Sequence, residues 1–106
     1  MAGFEQEGQG VTPVNEAVAD GAFTAVPAGS TNGTVLPGRP TGARGVVFYL
    51  PTGADVSYTI ATAAPESAPS LVHTVDDTIG RLEEALGPGT DIYVTAKTGS
   101  PFFRWL

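Results

Sequence analysis

The stretch Arg44-Gly45-Val46-Val47-Phe48-Tyr49-Leu50-Pro51-Thr52-Gly53-Ala54-Asp55-Val56-Ser57-Tyr58-Thr59-Ile60-Ala61-Thr62-Ala63 decides the fold class. It holds two runs of β-branched and aromatic residues, 45–50 and 56–63, either side of a Pro-x-Gly connection. Such a connection suits a turn of several residues rather than a two-residue hairpin loop. The reading is a central hairpin with shorter strands laid beside it. In the first run Val46, Phe48 and Leu50 point one way and Val47 and Tyr49 the other, so both faces are apolar and the strand is expected to be covered on both sides. In the second, Val56, Tyr58 and Ile60 alternate with Ser57, Thr59 and Ala61, the pattern of a strand with one buried and one polar face.

Moving outward, strands are expected at 22–26, 31–36, 71–75 and 90–96, separated by Gly/Pro/Ser/Asn turns. Pro13 confines 11–18 to an edge strand at best. Pro37 to Gly42 and Ala64 to Ser70 are loops. The segment 76–86 is the single helix candidate: Asp76 or Asp77 caps it, Ile79, Leu82 and Leu86 fall at helical spacing, and Gly87-Pro88 stops it. Gly80 inside it costs about 1 kcal/mol against alanine. Pro101 to Leu106 is a last strand with faces Phe102/Arg104/Leu106 and Phe103/Trp105; the first is assigned to the core and the second to an interface. The expectation is an all-β, single-domain β-sandwich, jelly-roll-like, with seven to eight short strands over 11–106 and a short helix near 76–86. Residues 1–10, polar and Gly-rich with Phe4 as the one anchor, read as a flexible arm.

Composition sets the function classes. The 106 residues suffice for one domain with a thin core. Gly and Pro account for 14 and 9 of them, which fits many short strands and many turns. Five basic against eleven acidic residues give a net charge of −6, and no basic patch exists. Nucleic acid and anionic membranes are therefore not expected partners. With no cysteine there is neither a disulfide nor a thiolate metal site. Met1 to Gly10 has neither the charged nor the apolar region of a signal peptide, so the chain is expected to fold in a cytosol.

Catalytic and metal chemistry find little support. His73, the lone histidine, would need an orienting carboxylate and a nucleophile; Asp76 and Asp77 are near in sequence, but Ser57 sits on the outer face of a regular strand and no nucleophile elbow is present. Asp76, Asp77, Glu83, Glu84 and Asp91 lack the spacing of a calcium loop and read as charges on an exposed face. No glycine run, Gly8-Gln9-Gly10 included, opens a helix as a phosphate cradle does. The expectation is a non-enzymatic protein with no cofactor. Six aromatic residues, Tyr49, Tyr58, Tyr93, Phe102, Phe103 and Trp105, have two readings: a sugar-stacking surface, helped by Asp55 or Asp91, or packing in the core and at subunit interfaces. Packing is preferred, with Phe4, Val47, Tyr49, Phe103 and Trp105 as the interface candidates.

The segments 44–60 and 92–106 resemble small structural proteins of tailed bacteriophages, the head-decoration or cement proteins. That resemblance implies a virion component made in the host cytoplasm: a trimeric β-sandwich or jelly roll on the capsid surface that binds major-capsid subunits. It carries no catalytic site. The alternative is a carbohydrate- or receptor-binding module of a phage tail or a cell surface.

Overall fold

The computed structural model describes residues 23–106. Its centre is β3, Gly45–Tyr49, whose Val46, Val47 and Phe48 are all fully buried, as a strand apolar on both faces requires. The other strands are β1 (Thr24–Ala25), β2 (Thr34–Val35), β4 (Asp55–Ala61), β5 (His73–Asp76), β6 (Arg81–Ala85), β7 (Asp91–Thr98) and β8 (Phe102–Trp105). They form two antiparallel four-stranded sheets. Sheet I has the order β1-β8-β3-β6 and sheet II the order β2-β7-β4-β5. The expected arm at 1–10 and edge strand at 11–18 lie outside the described residues.

The connectivity is that of a ribbon folded in half. Thr24 lies opposite Phe103, Thr34 opposite Val94, Gly45 opposite Ala85 and Asp55 opposite Asp76. All four pairings are centred within two residues of Ala64. The doubled ribbon then rolls up, so that β3 meets β8 and β4 meets β7. Consecutive strands mostly alternate between sheets, which is the jelly-roll arrangement.

The stretch 44–63 is accordingly not a hairpin. β3 belongs to sheet I and β4 to sheet II, so Pro51 to Ala54 carries the chain across the sandwich. Crossing over stacks the two apolar faces instead of laying them side by side: the Phe48 and Tyr58 rings face each other with centroids 5.2 Å apart. Around them Val26, Leu36, Leu50, Val56, Leu86, Ile92, Val94, Phe103 and Trp105 complete one core. Each large side chain withdrawn from water there contributes about 1.5–3 kcal/mol.

The core is sealed at the end where 36–44 crosses between sheets. Trp105 Nε1 donates to the Pro37 carbonyl at 3.1 Å, and the Arg39 guanidinium lies over the indole, 5.9 Å from its centroid. Arg39 also donates to the carbonyls of Thr90 and Ala43 and pairs with Asp91 at 3.2 Å. At the opposite end the Gly53 amide donates to Asp77 Oδ2 at 2.7 Å, tying two crossing loops together.

The predicted helix at 76–86 is instead a turn followed by β6; the described residues contain no helix. Gly80 has φ +74, a left-handed backbone that no helix interior accepts. Beyond it the sequence alternates: Arg81, Glu83 and Ala85 are exposed, while Leu82 and Glu84 are half-buried and Leu86 is buried. The leucine spacing satisfied both periods over so short a run, and five residues of pairing with β3 decided for the strand. Gly80→Ala distinguishes the two conformations by sign. It would raise the stability of a helix by about 1 kcal/mol. Here it is expected to lower stability by about 1–2 kcal/mol in urea unfolding, with an unchanged m-value.

Candidate functional site

Strand alternation gives the sandwich two unlike outer surfaces. On sheet II, Ser57 Oγ and Thr74 Oγ1 are hydrogen-bonded across β4 and β5 at 2.9 Å, beside Asp55, Asp76 and Thr98 in register. This is the polar face expected for the second run. On sheet I the outward row Phe102, Tyr49, Arg81 crosses β8, β3 and β6, and the next row places Val47 between Arg104 and Glu83. Phe23, just before β1, completes the surface.

Here the aromatic residues make an open groove of about 500 Å³, lined by Phe23, Tyr49, Leu50, Pro51, Gly80 and Phe102. Phe23 meets Tyr49 edge to face, centroids 4.7 Å apart at 88°, a favoured geometry for two quadrupoles. Phe23 is 57% and Phe102 38% exposed, so the apolar lining is open to solvent. Two guanidinium groups flank it. Arg104 stands 5.7 Å from the Phe23 centroid and Arg81 5.8 Å from that of Tyr49. Arg81 also pairs with Glu83 at 2.7 Å. A surface of this kind can hold apolar or aromatic groups with acidic flanks.

The interface candidates divide. Tyr49 is in the groove, and Val47 is fully buried beside it on the same face. Phe103 and Trp105 are 1% and 2% exposed and pack in the core, ring against ring at 5.8 Å, so they are core and not interface residues; of the face assigned to the core, Leu106 is buried and Phe102 is exposed. Pairing with β3 fixes the phase: Phe103 lies opposite Phe48 and Trp105 opposite Val46, both inward residues. Phe4 lies outside the described residues. The groove residues missed from sequence are Phe23, read as part of an ordinary strand, and Phe102, assigned to the core. The signal that could have placed Phe102 outside is Arg104, the charged residue on the same face of the strand.

The other candidates are dispersed. Ser57 and His73 are on opposite faces of sheet II, because Ser57 pairs with Thr74 and Tyr58 with His73. They cannot act as nucleophile and base. Each acidic side chain once weighed as a metal ligand has its own partner: Asp76 with Thr78, Asp77 with Gly53, Glu83 with Arg81, Glu84 with Tyr58 and Asp91 with Arg39. No metal-binding group of three is found among the described residues. Asp55 and Asp91 belong to sheet II, away from the aromatic groove on sheet I. Comparison with protein-family models, curated proteins and solved structures finds no match.

One buried titratable group links the sheets. Tyr58 Oη, from β4, donates to Glu84 Oε1 on β6 at 2.6 Å. Burial first, and then the Glu84 carboxylate, raise the Tyr58 phenol well above its ordinary value. Below about pH 10 folded and unfolded chains both keep this proton and the stabilisation is complete. Above it the unfolded chain releases the proton while the folded one retains it. Stability should therefore fall by up to about 1.4 kcal/mol per pH unit until the folded phenol also ionises. Urea unfolding between pH 9 and 12 checks this: Tyr58→Phe should be less stable by about 1 kcal/mol at pH 8 and should lose this part of the alkaline decline.

Proposed function

We propose that the chain is a non-enzymatic attachment protein, a capsid-decoration or cement protein of a bacteriophage head, that binds major-capsid subunits through the outer face of sheet I. The observation that carries this reading is the solvent-open aromatic groove, set on paired strands and bordered by Arg81 and Arg104. An apolar surface rimmed by charge marks a docking site more often than a chance exposure. Jelly rolls are frequent among viral capsid proteins, and this is an argument from fold analogy. Trimerisation on the capsid would repeat a weak contact three times and raise the overall affinity.

The carbohydrate-binding alternative has less to stand on. Tyr58, Tyr93, Phe103 and Trp105 are buried, which leaves Tyr49 and Phe102 of the six aromatics for stacking on a sugar.

Two measurements test the proposal. Light scattering of the full-length protein should give a mass near three protomers of 10.8 kDa each. Co-sedimentation with expanded capsids should show binding that drops at least tenfold, about 1.4 kcal/mol, in Phe23→Ser/Phe102→Ser, while the circular dichroism is unchanged. Undiminished capsid binding by that variant sinks the role of the groove. Binding on a glycan array with none to capsids moves the reading to a sugar-binding module.

A further inference from the structure

We infer that the partner segment seated in the aromatic groove is an extended stretch with one large apolar or aromatic side chain between two carboxylates, in the pattern acid-x-aromatic-x-acid. The inference rests on the groove being the attachment face and names what a partner must present there. Charge distribution points to the acids. The chain has five basic residues against eleven acidic ones, yet two of the five, Arg81 and Arg104, stand at this groove. The outer face of sheet II instead bears Asp55 and Asp76 in register. Glu83 takes one nitrogen of Arg81 at 2.7 Å, and a guanidinium has five N–H donors. Both members of that pair are close to half exposed, so solvent keeps it weak and exchangeable. An incoming carboxylate meets a guanidinium already held over a ring, Arg81 over Tyr49 and Arg104 over Phe23. Little side-chain freedom is then lost on pairing.

The strand register sets the spacing. Arg104 lies opposite Val47 on one side of β3 and Arg81 opposite Tyr49 on the other. Two strand spacings across and two residues along put their Cα positions about 12 Å apart. In an extended segment, side chains four residues apart share a face about 13 Å apart, and the side chain midway between them faces the same way. Carboxylates at those two positions reach the two arginines. The central side chain then comes down between them, where Tyr49 and Phe102 line the groove. A helix, about 10–12 Å across, is wider than the two strand spacings between the arginines, which favours an extended segment.

The test titrates isotope-labelled full-length protein with the capped peptide Ser-Gly-Glu-Thr-Phe-Thr-Glu-Gly-Ser and reads amide shifts by NMR. Comparison peptides replace both Glu by Gln, both Glu by Lys, or Phe by Ser. The expected result is binding of the Glu peptide at least about tenfold tighter than that of the Gln peptide, with shifts centred on Tyr49, Arg81 and Phe102. The Ser peptide should bind weaker by at least about tenfold as well. The advantage of Glu over Gln should vanish in about 1 M salt and in Arg81→Gln/Arg104→Gln, with the backbone spectrum still native. No binding of the Glu peptide, equal binding of the Glu and Gln peptides, tighter binding of the Lys peptide, or shifts centred elsewhere overturn the inference. If Arg81→Gln/Arg104→Gln alone lowers the light-scattering mass to one protomer, the groove belongs to a second copy and the assigned partner falls. A peptide preference that holds while capsid binding is unchanged in that variant counts against the proposed attachment and not against the recognition chemistry.

Discussion

The register of β3 against β8 and β6 is the constraint on which both the core and the groove depend. It points Val46 and Phe48 inward, where Phe48 meets Tyr58 of the other sheet. The same register points Val47 and Tyr49 outward to Arg104, Glu83, Phe102 and Arg81. A slip of one residue on either side would exchange the two sets, placing Arg104 in the core and Phe103 on the surface. Core and groove are thus two readings of one strand alignment, and neither could be altered without the other.

What holds that alignment is concentrated at the ends of the sandwich. Trp105, the last residue of β8, is fixed to Pro37 and covered by Arg39, which also reaches Ala43, Thr90 and Asp91. At the far end Gly99, with φ +69, lies against Gly53; a Cβ there would come within 2.8 Å of the Gly53 carbonyl oxygen. Gly53 is in turn bound to Asp77. These contacts join three crossing loops at the end of the sheet where Leu50 and Pro51 bound the groove. The aromatic surface is therefore built on a braced part of the fold, which lowers the entropy that a docking partner would have to remove.

Much of the fold was legible in the sequence, and the failures have physical causes. The all-β class, the two covered faces of β3 and the single polar face of β4 follow from strict alternation, which is local. Whether successive strands pair or cross between sheets is not local: Pro51 to Ala54 is chemically fit for either, and only packing of Phe48 on Tyr58 decides. The helix assigned to 76–86 failed because two leucines four residues apart fit both periods, while the left-handed Gly80 leaves no trace beyond its being glycine. Phe102 was assigned to the core because it and Leu106 outweighed Arg104, the one charged residue on that face of β8. That assignment moved the site, since Phe102 belongs to the groove and Trp105 to the core.

The half-folded ribbon has a kinetic side. Because β1 pairs with β8 and β2 with β7, the contacts that complete each sheet join residues far apart in sequence, Thr24 with Phe103 and Thr34 with Val94. Loop closure of that size is entropically demanding, and folds dominated by such contacts form in milliseconds to seconds rather than microseconds. On a ribosome, β3 and β4 emerge with their partners still unmade, and sheet I cannot close until Trp105 has left the exit tunnel. The route of least entropy starts at the fold line near Ala64, where β4 and β5 are separated by only the loop 62–72, and proceeds outward strand by strand. On that route the aromatic groove, which needs β1, β3 and β8 together, is among the last features to form.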